Sequence, residues 1–182
     1  VKALSTAYHY TDDLKYGRPA AILLDRIADY YNQYDLNIYD FATWKTSDRC
    51  QGGAINYVWE TDLVNVLMQA YDKVFDVFDD PYVIDYLKEK GEDIKFRYSK
   101  ETGNQIRTHI EDNILREVLN SLDDPFPKVA GNWGMAQQSC AIGAVVLDTL
   151  PDTATWIDYL MKPGWSINNS RGGAIDETLV NT

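Results

Sequence analysis

Along most of this chain apolar residues recur at every third or fourth position, and that period confines it to helices. Between Ala54 and Phe78 one stripe runs through Glu60, Val64, Leu67, Tyr71, Val74 and Phe78. A second runs through Ile106, Ile110, Ile114, Val118 and Leu122, predicting a helix over Asn104–Leu122. Tyr16, Ala20, Leu23, Leu24, Ile27 and Tyr31 mark a third, ending near Gln33, with Pro19 at its start or at a kink. Val1–Thr11 reads as the end of a helix that "TDD" interrupts. Pro81–Lys90 reads as a short helix with proline at its first position. Trp133–Leu150 and Thr153–Met161 complete the series, and no strand pair is evident. Tyr34–Gly53, the stretch "GEDIKFRYSKETGN" and Lys162–Asn181 read as irregular connections.

The expected fold is therefore all-α, with consecutive helices packed as antiparallel hairpins in one domain spanning 1–182. Unequal helix lengths exclude a regular solenoid repeat. The chain is long enough for a sizeable core. It opens inside a helical pattern without an initiator Met, so it is expected to be a fragment of a larger multidomain protein.

A net charge of −11 argues against nucleic acid, whose phosphates need clustered Lys and Arg. No run of eighteen apolar residues is present, so no membrane span is expected. Cys50 and Cys140 cannot make a disulfide framework, and no zinc-type spacing of Cys and His occurs, so neither a metal nor another cofactor is expected. The 13 Tyr and 5 Trp exceed what such a core needs. They are amphipathic helix edges or stacking platforms in a cleft; flat rings suit sugar faces, and the acidity disfavours nucleobases.

Three places draw attention for chemistry. In "GNWGMAQQSC", Asn132 is either the N-cap of the next helix or a polar group presented to a ligand. Gln137 and Gln138 follow in the first turns of a helix about to be buried, so at least one amide should lie near buried surface and need a partner. Ala136, Cys140 and Gly143 form a small-residue stripe that admits a second helix or leaves room for a ligand. In "NYVWETDLVNVL", Asn56 and Glu60 are one turn apart. Glu60 is either a carboxylate held near a helix N-terminus or a neutral acid that donates a hydrogen bond, with Trp59 beside it as a platform. His9 and His109 are expected at a helix end and on a boundary surface.

The order and spacing of "AYHYTDDLKYGRPAAILLDRIADYY", "GGAINYVWETDLVNVLMQAYDKVFD" and "IRTHIEDNILREVL" followed by "GNWGMAQQSCAIGAVVLD" resemble the heparinase II/III-like polysaccharide lyases. The resemblance covers most of the chain and is to the helical domain of that family. It implies part of an (α/α) toroid, a missing C-terminal β-rich domain, a periplasmic or secreted parent, and β-elimination on an acidic, uronic-acid polysaccharide such as a glycosaminoglycan. Elimination needs a group that neutralises the uronate, a base for the C5 proton and an acid for the leaving oxygen. By resemblance, Asn132 is the neutraliser, Glu60, Gln137 or Gln138 assist, and Trp59 and Trp133 stack on sugars. Two departures stand out. The family pattern carries His where this chain has Ala136, and its catalytic Tyr would follow the chain's last residue. The chain alone is therefore expected to be inactive. The alternatives are an α/α glycoside hydrolase domain built on a carboxylate pair, and a non-catalytic carbohydrate-binding or structural helical domain.

Overall fold

The structure, a computed structural model, describes residues 1–34, 54–55, 57–94, 99–122, 128–129 and 134–161. Among the described residues every regular element is helical, as the periodicity predicts. In chain order these are α1 (Lys2–Thr11), α2 (Leu14–Tyr31), α3 (Tyr57–Lys73), a 3₁₀ turn (Phe75–Asp79), α4 (Pro81–Ile94), α5 (Gly103–Ile110), a π turn (Glu111–Leu115), α6 (Arg116–Ser121), α7 (Met135–Leu147) and α8 (Asp152–Met161). No helix among the described residues is long and apolar enough to cross a membrane.

The helices gather into two compact units. The first comprises Val1–Asn32 and Val66–Ile114. Asp12 adopts the left-handed conformation at the end of α1 (φ 54°), and Asp13 caps α2 by accepting from the Lys15 N–H at 3.0 Å. The short "TDD" turn so formed folds α1 back onto α2, a pair in direct contact. Gly17 makes the close approach possible: a Cβ there would lie 2.8 Å from Tyr8 Cδ2. Because Asp13 sets the start, α2 begins five residues before Pro19 rather than at it. Pro19 thus lies in the second turn of α2, past the first-turn amides that lack intrahelical partners, and its missing N–H removes one intrahelical hydrogen bond. The core of this unit joins Leu24 and Tyr31 of α2, Leu67, Met68 and Tyr71 of α3, Phe78, and Ile106 and Ile110 of α5, all buried.

The second unit holds the start of α3 with α6, α7 and α8. Val118 and Leu119 of α6, Cys140 and Ala144 of α7 and Leu160 of α8 are buried. The small residues of α7 face α8: the Thr153 hydroxyl donates to the Ala144 carbonyl at 2.8 Å, and Cys140 Sγ lies 3.9 Å from the Trp156 carbonyl. Of the small-residue stripe, Cys140 thus meets α8.

The single helix expected over Asn104–Leu122 is three pieces. The π turn inserts between α5 and α6 and carries Asn113, whose side chain donates to the His109 carbonyl at 2.8 Å. A wide turn of this kind often marks a functional or strained position in a helix.

Candidate functional site

The first turn of α3 brings Trp59 and Glu60 together. Glu60 is fully buried, and its Oε2 accepts from the backbone N–H groups of Ala54 (2.9 Å) and Ile55 (2.7 Å). The carboxylate therefore pins the preceding segment to the helix, where a negative group also meets the positive end of the dipole. Trp59, 61% exposed, leaves its indole at the surface as a platform would require. Asn56 lies outside the described residues.

At α7 the N-cap is Gly134, not Asn132. Gly134 takes φ 77°, a conformation glycine enters without a Cβ penalty, and its carbonyl accepts from the Gln138 N–H at 2.8 Å. Gln137 is buried and Gln138 exposed, so the two amides separate onto opposite environments. Asn132 and Trp133 lie outside the described residues.

A polar cluster that the sequence reading passed over sits inside the first unit. Lys100 Nζ donates to Asp25 Oδ2 at 2.6 Å and to Asp29 Oδ1 at 2.7 Å, with all three side chains buried. His109 Nε2 lies 2.9 Å from the same Asp29 Oδ1, and Asn113 Nδ2 lies 3.1 Å from His109 Nδ1. Asn32 Nδ2 donates to Asn113 Oδ1 at 2.6 Å. Since an amide nitrogen only donates, His109 Nδ1 accepts and the ring proton is assigned to Nε2, directed at Asp29. His109 is thus a buried, fully engaged residue rather than the boundary histidine expected from its place on the helix.

The two aspartates differ electrostatically. Burial pushes the Asp25 carboxyl above its ordinary range, and the Lys100 charge only partly offsets it. Burial acts the same way on Asp29, but hydrogen bonds from His109 and Lys100 outweigh it and hold that carboxyl below its ordinary range. Arg26 adds an ion pair to Asp29 Oδ2 at 3.3 Å. Asp25 and Asp29 are one turn apart on α2, and His109 and Asn113 are four residues apart across the π turn. That spacing was the available signal. Lys100, in a polar connection, gave none.

Asp25, Asp29 and Lys100 form the floor of a cleft of about 300 Å³, walled by α2 and α4. Tyr86 and Leu23 stand at its side and are partly exposed. Among the described residues no three His, Cys, Asp or Glu side chains group as a metal site. The chain matches no known protein family, no curated protein and no solved structure.

Proposed function

We propose that this chain is the helical domain of a polysaccharide lyase, whose parent cleaves a uronic-acid polymer by β-elimination. The observation that carries this reading is the start of α7. The helix begins directly after "GNWG", and its first turn holds one buried amide, Gln137, and one exposed amide, Gln138. A helix N-terminus with polar side chains around it favours a carboxylate. Asn132 then neutralises the uronate and Trp59 offers a stacking face. Ala136 cannot titrate, so on this reading the proton transfers fall to groups of a further domain of the parent.

The test uses the parent protein, a panel of uronic-acid polysaccharides and the ultraviolet absorbance of the 4,5-unsaturated uronate. A rise with one polymer, abolished by Asn132→Ala, is expected. Cleavage without that absorbance would replace elimination with hydrolysis. A second reading, a non-catalytic carbohydrate-binding domain, is favoured by Glu60. Its Oε2 accepts from two backbone amides, a structural use of the side chain. Sugar binding with no cleavage of any polymer would select it.

A further inference from the structure

The buried cluster between α2 and α5 takes no part in the proposed function, and its hydrogen bonds are shared unevenly. Asp29 is served by three donors. Its Oδ1 meets Lys100 Nζ at 2.7 Å and His109 Nε2 at 2.9 Å, and its Oδ2 accepts from Arg26 Nη1 at 3.3 Å. Asp25 is served by one, Lys100 Nζ at 2.6 Å from Oδ2. Its Oδ1 is closed off from solvent and has no hydrogen-bond partner among the described residues. That oxygen lies 3.9 Å from His109 Nε2, whose proton is directed at Asp29 instead.

The charges do not balance either. Lys100 supplies one positive charge and the two carboxylates two negative ones. His109 accepts from Asn113 through Nδ1 and is neutral. With both carboxyls ionised, these four buried side chains hold one surplus negative charge. Arg26 reaches Asp29 from the edge, but its side chain is 47% exposed and water screens it. A buried surplus of this kind is relieved by binding a proton.

The hydrogen bonds decide where that proton goes. On His109 Nδ1 it would face the Asn113 amide nitrogen. That amide is fixed by its bond to the His109 carbonyl at 2.8 Å and by the Asn32 amide at 2.6 Å. On Asp29 the proton would displace one of three donors. On Asp25 Oδ1 it displaces none, and Oδ2 keeps Lys100. The electrostatics agree: burial, only partly offset by Lys100, pushes the Asp25 carboxyl up, whereas the donors on Asp29 overcome burial and hold that carboxyl down.

We propose that Asp25 is a proton-binding site that couples pH to the joint between α2 and α5. With the proton bound, one ammonium faces one carboxylate and the joint is closed. As pH rises the proton leaves, the surplus charge appears inside the unit, and the joint loosens. The groups acting on Asp25 are Lys100 and His109 from the α5 side and Asp29 from its own helix, while Arg26, Tyr86 and Lys90 line the adjoining cleft. A carboxyl raised on folding contributes stability below its unfolded value and loses it as pH rises through the folded one. Asp29, lowered on folding, responds in the opposite direction.

The experiment uses the folded chain and two readouts. NMR follows the side-chain carboxyl ¹³C shifts of Asp25 and Asp29 against pH. Asp25 is expected to titrate above the ordinary aspartate value of about 3.9, and Asp29 below it. Amide hydrogen exchange in α5 is then compared at matched pH among the parent sequence, Asp25→Asn and Asp29→Asn, so that the intrinsic pH dependence of exchange cancels. The ratio of the parent rate to the Asp25→Asn rate should rise by more than about twofold from about pH 5 to about pH 8. Asp29→Asn should exchange faster than the parent sequence at both. An Asp25 midpoint at or below about 3.9 would overturn the proposal. A flat or falling exchange ratio would do so too, as would imidazole ¹⁵N shifts that place the proton on His109 Nδ1 while Asp25 stays ionised. Should Asp25→Asn fail to fold, the Asp25 midpoint in the parent sequence decides alone.

Discussion

Lys100 and Asp25 form an ion pair of 2.6 Å with both side chains almost wholly out of water, 2% and 1% exposed. A second carboxylate, Asp29, takes another Lys100 hydrogen at 2.7 Å. One ammonium thus joins two successive turns of α2 to the segment entering α5. Isolated buried charges are strongly unfavourable, so each member requires the others.

Removing the ammonium should expose that dependence. Lys100→Met leaves two buried carboxylates facing each other and should cost about 3–5 kcal/mol of stability in urea unfolding. Lys100→Arg keeps the charge but not the compact ammonium geometry and should fall between the variant and the parent sequence. A loss under about 1 kcal/mol for Lys100→Met would mean that the cluster contributes little to the fold.

Glu60 permits a sharper distinction. If it is a backbone clamp, Glu60→Ala strands two N–H groups and should destabilise the chain by about 2–4 kcal/mol. Glu60→Gln retains an acceptor oxygen and should lose clearly less. A catalytic acid would behave the other way, with both variants folding normally and both abolishing turnover in the parent. Paired unfolding and activity measurements on the two variants decide between them.

These two residues also show what periodicity can and cannot reveal. Glu60 heads a clear apolar stripe, so its burial was legible; its partners were not, because Ala54 and Ile55 contribute backbone amides that carry no side-chain signature. Helix existence followed from spacing, and the boundaries moved where local capping decided them, as at Asp13 before Pro19 and Gly134 before α7. The π turn was invisible, since one extra residue per turn shifts the apolar stripe too little to break a three-to-four spacing. Lys100 was hidden for a different reason. A lysine in a polar connection reads as solvated until the tertiary fold brings α2 and α5 around it.

Asp80 predicts a pH dependence. It accepts from Arg18 Nε (3.0 Å) and Nη2 (2.9 Å), and its Oδ1 also accepts from the Tyr82 N–H at 3.0 Å at the start of α4. The Arg18 hydrogen bond, with lesser help from the α4 amides and the Arg18 charge, holds its carboxyl below the ordinary range despite some burial. A carboxyl lowered on folding stabilises the protein above its unfolded-state pKa, and that contribution disappears as pH falls through the folded value. Asp80→Asn should therefore lower stability at neutral pH and flatten the loss between about pH 5 and 3. Thermal unfolding across that range, with an unchanged slope in the variant, would remove Asp80 from the acid response.

Cys140 tests the packing of α7 on α8 directly. The thiol is fully buried, and burial pushes it up to about 12. Thiolate, not thiol, attacks alkylating reagents, so two barriers, access and ionisation, act together. In the folded chain at pH 8, iodoacetamide should leave Cys140 unmodified, as read by mass spectrometry of the peptide that contains it. Urea should remove both barriers and give full alkylation. Thr153→Val, which deletes the hydroxyl bonded to the Ala144 carbonyl, should loosen α8 and raise the native labelling rate. Rapid labelling of the folded parent sequence would show that α7 and α8 separate on the timescale of the reaction.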